Sequence, residues 1–199
     1  MKLHYALSSP YVRKVMLVAH ECGLSDRIEL LPTTPQTIID DVSSENPLGQ
    51  IPTLITDEGI ALYDSNVIAE YLDDLGKGGL LPASGPDRWR VLKQQSLGQG
   101  MINAANLRYN ETRRPEGEMS PAWIAKKDNE LHRTFDALDA MARTGKLSDN
   151  ADLGTLTIAC AIAYAELRWP EGAWDTGRSI LAAWYKKFSA RPSMLATAP

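Results

Sequence analysis

Asn46-Pro47-Leu48-Gly49-Gln50-Ile51-Pro52-Thr53-Leu54 joins a loop to an apolar run, and this stretch decides how the first part of the chain folds. Proline has no N–H to donate to a sheet, so Pro52 belongs at the first residue of a strand or at a sheet edge. Ile51-Pro52 is also a candidate for a cis peptide bond. We expect the loop to leave the N–H and C=O of Ile51 unpaired, so that an extended ligand can pair with them. Taken alone, the stretch favours the simpler interpretation, an ordinary β-turn before a strand.

Strand and helix patterns alternate on both sides of this stretch as far as residue 77. Strands are predicted over residues 2–7, 28–31, 53–55 and 60–62. Helices are predicted from residue 10 to about 22, from 36 to about 44, and from 63–65 to Gly76. Ser9 followed by Pro10 suits the N-cap and the first position of a helix. The predicted order is therefore β-α-β-α-β-β-α.

The second part of the chain has only helical patterns. Glycine and proline are concentrated between residues 77 and 86, which predicts a domain boundary. Apolar residues at helical spacing then predict helices over about 89–109, 124–142, 153–167 and 180–188, with Pro192 closing the last one. We expect an N-terminal domain of residues 1–77, a linker of residues 78–86 and an all-α C-terminal domain of residues 87–199.

The overall composition argues against several classes of function. The net charge of −4 does not suit a broad nucleic-acid-binding surface. No apolar run approaches the ~20 residues of a membrane span, and the first seven residues are too short and polar for a signal peptide. Cys22 and Cys160 form no disulfide framework or metal spacing, and the three histidines are scattered. We expect no metal, no membrane partner and a reduced, cytoplasmic location.

Three features of the first domain could meet a small peptide. Ser8-Ser9 stands at a helix N-terminus, whose free N–H groups and partial positive charge stabilise a thiolate. Asp64-Ser65 opens another helix, which can hold a carboxylate, while the Asp64 side chain can meet an ammonium group. The Ile51-Pro52 loop is the third feature. The alternative that Ser9 and Asp64 are only N-caps stays open.

The sequence does not favour a catalytic nucleophile supplied by the protein itself, either a serine or a cysteine. No glycine pattern of a nucleophile elbow surrounds either serine, which argues against a Ser-His-Asp hydrolase. Cys22 lies ~13 residues along the helix from Ser9, or about 20 Å at 1.5 Å per residue. We expect Cys22 and Cys160 to be buried structural thiols.

Three motifs carry a family resemblance: Ser9-Pro10-Tyr11-Val12-Arg13-Lys14, the stretch 46–54 quoted above, and Leu62-Tyr63-Asp64-Ser65-Asn66-Val67-Ile68-Ala69-Glu70-Tyr71-Leu72. Together with the apolar helix after Asp152, they make the chain resemble a cytosolic glutathione S-transferase, a serine-type bacterial member, over nearly its whole length. The resemblance implies a chain of class α/β plus all-α. It further implies a thioredoxin-like N-terminal domain (βαβαββα), an all-helical C-terminal domain and, as is usual in the family, a homodimer.

The resemblance further implies glutathione as co-substrate, a small hydrophobic electrophile as second substrate and a role in detoxification. Ser9 would face the sulfur of glutathione, with Ser8 as the competing choice. The implied glutathione-binding residues are Gln50, Ile51, Pro52, Asp64 and Ser65. Candidate electrophile-binding residues are Tyr11, Asn106, Tyr109 and Trp169, for which helix packing is the open alternative.

Two departures from the family pattern bear on these expectations. Residues 33–45 contain no lysine, arginine or histidine to meet the glycyl carboxylate, so Gln36 or Gln50 would have to substitute. Thr155 stands where an acidic residue is usual in the helix-opening box after Asp152, which predicts a weakened N-cap. The missing basic residue favours the alternative to a glutathione transferase, which is a non-catalytic glutathione-binding or protein-interaction module.

Overall fold

The computed structural model describes residues 1–199, which form two compact units. The first unit contains Met1–Ser84 and Pro192–Pro199, and the second contains Gly85–Arg191. The first is an α/β unit and the second is all-helical, so the predicted fold class is confirmed.

The predicted order βαβαββα is confirmed in the first half of the chain. It forms β1 (Lys2–Tyr5), α1 (Pro10–Glu21), β2 (Glu29–Pro32), α2 (Ile38–Val42), β3 (Thr53–Ile55), β4 (Ala61–Leu62) and α3 (Ser65–Gly76), with a 3-10 turn at Ser25–Arg27. The second half forms α4 (Gly85–Glu111), α5 (Pro121–Arg143), α6 (Leu153–Arg168), α7 (Ser179–Phe188) and α8 (Pro192–Ala196), with a 3-10 turn at Pro170–Gly172. None of these helices combines the length and the apolarity that crossing a membrane requires.

The sheet of the first unit has the strand order β2-β1-β3-β4. β1 is parallel to β2 and antiparallel to β3, and β3 is antiparallel to β4. Its core is formed by fully buried apolar side chains of β1, β3, α1 and α3, among them Leu3, Leu54, Val15, Ile68 and Leu72. β1 ends earlier than predicted because the chain turns after Tyr5, where the Ser9 N–H donates to the Ala6 carbonyl at 3.0 Å.

In the helical unit, two glycines allow α4 and α6 to approach each other closely. A Cβ atom on Gly98 would lie 2.8 Å from the backbone nitrogen of Ile158, and one on Gly154 would lie 2.6 Å from Cβ of Gln94. Residues 94 and 98 of α4 thus lie beside residues 154 and 158 of α6. The two helices therefore run parallel in a fixed register, and their C-terminal ends lie together.

The N-terminus of α6 is closed by a reciprocal capping box. Oδ1 of Asp152 accepts from the Thr155 N–H at 2.8 Å, and Oγ1 of Thr155 accepts from the Asp152 N–H at 2.9 Å. The prediction of a weakened cap is wrong, because the threonine hydroxyl fills the place of the usual carboxylate.

The boundaries of the helical unit differ from the predicted division into 1–77, 78–86 and 87–199. Asp73 accepts from the N–H groups of Leu80 and Leu81, both at 2.8 Å, which ties the supposed linker to the first unit as far as Ser84. Pro192 does not merely close α7 but begins α8. The carbonyl of Met194 in α8 accepts from Nη2 of Arg13 at 3.2 Å, so the chain returns to α1.

We predict that Thr155→Val lowers the free energy of unfolding by about 1–2 kcal/mol, because it removes the capping hydroxyl and keeps the side-chain shape. Urea denaturation measures this change. The control is Thr144→Val, because the exposed Thr144 hydroxyl donates only to carbonyls at the end of α5; that variant should lose less than about 0.5 kcal/mol. Equal losses in the two variants would contradict the role given to the capping box.

Candidate functional site

Three segments of the first unit meet at one end of its sheet. β1 and β3 are antiparallel with His4 opposite Thr53, so the end of β1 lies beside the start of β3. β4 is antiparallel to β3 with Leu62 opposite Leu54, so the end of β4 lies there as well. The segments that follow β1, precede β3 and follow β4 therefore share this end; they are residues 6–9, 50–52 and 63–65.

Ser9 is the N-cap of α1, as predicted. Its Oγ accepts from the Val12 N–H at 3.3 Å, and Pro10 occupies the first helical position. The side chain is half-buried, whereas Ser8 before it is exposed. A hydroxyl oxygen that accepts from the backbone still carries a proton to donate, so capping leaves Ser9 able to bind a sulfur anion. Tyr11 lies half-buried in the same first turn.

The loop before β3 is built around the side chain of Asn46, which is 1% exposed. Its Nδ2 donates to the Gln50 carbonyl at 3.1 Å and to Oγ1 of Thr53 at 2.9 Å. Its Oδ1 accepts from the Leu48 N–H at 3.0 Å. Gly49 has a φ of 58° in this loop, and a Cβ there would lie 2.7 Å from a methyl of Ile39. These contacts fix the path of the backbone up to Ile51.

Ile51 presents an unpaired backbone at the end of that loop. The Ile51-Pro52 peptide bond is cis, which confirms the prediction. The ladder with β1 starts at Thr53, and neither the N–H nor the C=O of Ile51 forms a hydrogen bond within the protein. Pro52 is buried, Ile51 is half-buried, and Gln50 is exposed. An extended ligand can therefore pair with Ile51 as if it were an added strand.

Asp64 and Ser65 open α3 at the same end of the sheet. Oδ1 of Asp64 accepts from the Asn66 N–H at 2.6 Å, so Asp64 is an N-cap, and it remains exposed. Ser65 is only 2% exposed. The peptide bond between Tyr63 and Asp64, just before it, is cis. The amides at the start of α3 and the Asp64 carboxylate thus offer donors and one negative charge side by side.

A fully buried lysine lies beneath this helix start. Nζ of Lys14 in α1 donates to Oδ1 of Asn66 at 2.8 Å, which links α1 to the first turn of α3. A buried ammonium group is stable only when hydrogen-bonded, so this contact fixes the orientation of the Asn66 side chain. Lys14 and Asn66 are both within the quoted motifs, but the sequence pattern gave neither a role.

The segment after β2 reaches the same end of the sheet, because β2 is parallel to β1. The N–H of Thr33 donates to the Tyr5 carbonyl at 2.8 Å, and Gln36 a few residues later is exposed. No basic side chain lies in residues 33–45.

The candidates predicted in the helical unit fall into two different environments. Trp169 is 7% exposed, with the Arg108 guanidinium 4.6 Å from its ring and His132 against its edge, so it packs inside the unit. Asn106 and Tyr109 are half-buried on one face of α4. The pKa of Tyr109 is lowered because Arg113 donates to its hydroxyl, at 2.6 Å, with a further contribution from Arg168.

Comparisons with known proteins agree with this architecture. The model of the glutathione S-transferase N-terminal domain matches residues 8–75, and the model of the C-terminal domain matches residues 121–187. The GST-like protein YibF of Escherichia coli K12 is 30% identical over 201 residues, which cover 100% of this chain and 98% of YibF. The chain belongs to the glutathione S-transferase family.

Solved structures of this family superpose over the whole chain. A glutathione transferase family member from Pseudomonas fluorescens Pf-5 with bound glutathione is 38% identical, with a TM-score of 0.93, covering 100% of this chain and 98% of that one. A structure from the same organism with bound S-(propanoic acid)-glutathione is also 38% identical, with a TM-score of 0.89 and coverage of 100% and 99%.

Cys22 lies in the glutathione S-transferase fold as the C-cap of α1. Burial, together with repulsion from the carboxylates of Asp73 and Glu21, raises the pKa of the Cys22 thiol to about 11. The thiol therefore stays protonated at neutral pH, but Cys22 is half-buried, so the prediction of a buried thiol is wrong for this residue. Cys160 is buried in α6. No group of three or more His, Cys, Asp or Glu side chains is placed to hold a metal ion.

We predict that iodoacetamide alkylates Cys22 about 100-fold more slowly at pH 8 than it alkylates an ordinary thiol, because the reacting thiolate becomes rarer as the pKa rises from 9.0 to about 11. The rate should climb steadily up to about pH 11. Mass spectrometry of time points locates the adduct, and Cys22→Ser is the control for reaction at Cys160. Rapid alkylation at pH 7 would contradict the raised pKa.

Proposed function

We propose that this protein is a glutathione transferase, which binds glutathione at the end of the sheet and activates its thiol for attack on a small electrophile. The observation that carries the proposal is the unpaired backbone of Ile51, flanked by two helix N-termini at Ser9 and at Asp64-Ser65. Further support comes from the Pseudomonas fluorescens relative, which is 38% identical and holds glutathione in its crystal structure.

Each part of the tripeptide has a matching group in the proposal. The cysteinyl N–H and C=O pair with the C=O and N–H of Ile51, between Gln50 and Pro52. The γ-glutamyl carboxylate accepts from the amides at the start of α3 and from Ser65, while Asp64 binds the γ-glutamyl ammonium group. The exposed amide of Gln36 or Gln50 serves the glycyl carboxylate, in place of a basic residue.

Ser9 and the N-terminus of α1 would supply the activation of the thiol. A model thiol has a pKa of ~8.5, so only a few per cent is thiolate at pH 7. Lowering that pKa by ~2 units takes about 2.7 kcal/mol of preferential binding of the anion. A hydroxyl donating to a charged sulfur contributes ~1.5–3 kcal/mol, and the helix N-terminus adds ~0.3–2 kcal/mol. Together, these two contributions are large enough to lower the pKa of the thiol by ~2 units.

The second substrate in this proposal is a small hydrophobic electrophile, and the physiological role is detoxification. Tyr11 and the half-buried pair Asn106 and Tyr109 remain its candidate contacts. Trp169 is left out of the proposed site, because its ring is covered by Arg108 and His132. The relative bound to S-(propanoic acid)-glutathione supports a small group on the sulfur.

We also propose a cytoplasmic homodimer. Large apolar side chains remain exposed on single chains, with Val67 of α3 49% exposed and Trp89 of α4 68% exposed. Burying such side chains favours association. Light scattering should give twice the chain mass of 21.9 kDa, and a single-chain mass would contradict the dimer.

A non-catalytic glutathione-binding or protein-interaction module is the second candidate, favoured by the lack of a basic residue in 33–45. Calorimetric titration with glutathione, followed by turnover of a generic aryl halide, separates the two. We expect both binding and turnover. Binding without turnover of any electrophile would favour the module, and no binding would reject both glutathione-dependent functions.

We predict that Ser9→Ala shifts the pH profile of kcat/KM up by about 1–2 pH units, because the thiol loses a hydrogen bond worth ~1.5–3 kcal/mol to its anion. At pH 7, kcat/KM should fall about 10–100-fold. The measurement is the initial rate of aryl halide conjugation between pH 6 and pH 10.

Two controls accompany this variant. Ser9→Gly also lacks the hydroxyl but costs the helix cap only a few tenths of a kcal/mol, so it should show the same shift with less loss of stability. Ser8→Ala should leave the profile in place. A shift in Ser8→Ala with none in Ser9→Ala would transfer the proposed role to Ser8.

A further inference from the structure

The C-terminal ends of α4 and α6 bring five polar and aromatic side chains into one cluster. We call it the double-arginine cluster; its members are Asn106, Tyr109, Arg113, Tyr164 and Arg168. The parallel register set by Gly98 and Gly154 extends to this end, where the Tyr164 hydroxyl donates to Oδ1 of Asn106 at 3.0 Å. Helix packing within a single unit therefore places four of the members, and Arg113 follows two residues after the end of α4.

Two arginines of the cluster share one aromatic ring. The guanidinium carbon of Arg168 lies 4.2 Å from the centre of the Tyr109 ring, and that of Arg113 lies 5.4 Å from it. Nη1 of Arg113 also donates to the Tyr109 hydroxyl at 2.6 Å. Arg113 is exposed, while Tyr109 and Arg168 are half-buried, so one side of the cluster is open.

Neither arginine has a carboxylate partner. Neither Arg113 nor Arg168 forms an ion pair, and Nε of Arg168 is buried without any hydrogen-bond partner. Two other arginines of the helical unit differ in this respect: Arg108 pairs with Asp128 and Glu171, and Arg178 pairs with Asp136. Two guanidinium groups that share one ring and lack a carboxylate partner stand out in a chain whose net charge is −4.

This combination suits an organic anion. Guanidinium groups bind carboxylates through paired N–H donors, and an arginine held against an aromatic ring loses little freedom when it does so. The half-buried ring of Tyr109 offers apolar surface for the body of the ligand. A cation at a helix C-terminus also stabilises the helix dipole, but that effect involves no preference for any ligand.

We propose that the double-arginine cluster binds the carboxylate of the second substrate, so that the electrophile is a small aromatic or unsaturated organic acid. The inference rests on the proposed transferase function and names the class of its substrate. Arg168 and Arg113 are the residues that determine this specificity, and Tyr109 positions both guanidinium groups.

The test uses two electrophiles of nearly the same shape, the anion 4-chloro-3-nitrobenzoate and the neutral 4-chloro-3-nitrobenzamide. Their binding is first measured by calorimetry without glutathione, so the result does not depend on the glutathione site. The wild-type protein should bind the benzoate at least about tenfold more tightly than the benzamide. Arg168→Gln and Arg113→Gln should each remove most of this preference.

Two further variants separate recognition from stability. Arg114→Gln removes the same charge one residue from Arg113, from an exposed arginine that pairs with Glu118, and should keep the preference for the benzoate. Arg168→Lys keeps the charge at the end of α6 but loses the planar set of donors, and should weaken benzoate binding several-fold. A role confined to helix stability would leave the ligand preference unchanged in every variant.

Conjugation is measured next, with glutathione present. The sulfur–carbon bond forms, the carbon–chlorine bond breaks and chloride leaves, so both electrophiles undergo the same reaction. Arg168→Gln should lower kcat/KM for the benzoate about tenfold more than it lowers kcat/KM for the benzamide. Equal binding of the two compounds by the wild-type protein would overturn the inference. A charge preference without any conjugation would support the cluster and reject the transferase function.

Discussion

The hydrogen bonds of one buried side chain, Asn46, hold the part of the molecule on which the candidate site depends. Asn46 donates to the Gln50 carbonyl and to Thr53, and it accepts from Leu48, so both ends of a short loop are tied to one amide. The loop therefore places Ile51 just before the start of β3, with its N–H and C=O unpaired. Without that constraint, the backbone of Ile51 could continue the ladder with β1 or fold back on the loop, and no extended ligand could pair with it.

The helical unit depends on a different constraint, which is the close approach of α4 and α6. Gly98 and Gly154 remove the side chains that would separate the helices, and the resulting parallel register aligns residues about sixty positions apart. This register brings Tyr109 beneath Arg168 and Asn106 against Tyr164. The same packing covers Trp169 with Arg108 and so removes it from the accessible surface.

Local sequence patterns were sufficient to predict most helix starts and loop features of the first unit. Ser9 and Pro10 identify the start of α1 because capping depends on only a few consecutive residues, and the cis bond before Pro52 was a candidate for a similarly local reason. The strength of the N-cap at Asp152 was underestimated, because the hydroxyl of Thr155 takes the place of the usual carboxylate. The role of Asn46 was missed, although it stands first in the deciding stretch, because a buried amide and an exposed loop amide look the same in a sequence.

The sequence by itself determined the order of strands and helices in the first part, the division into an α/β part and a helical part, and the starts of α1, α3 and α6, because these follow from periodicity and from nearest neighbours. Only the tertiary structure decided that Pro192–Pro199 returns to the first unit, that Lys14 supports Asn66, and that Arg113 and Arg168 share one ring without a carboxylate between them. Those facts join residues that are far apart in the chain, and the contacts depend on helix register and burial rather than on local sequence.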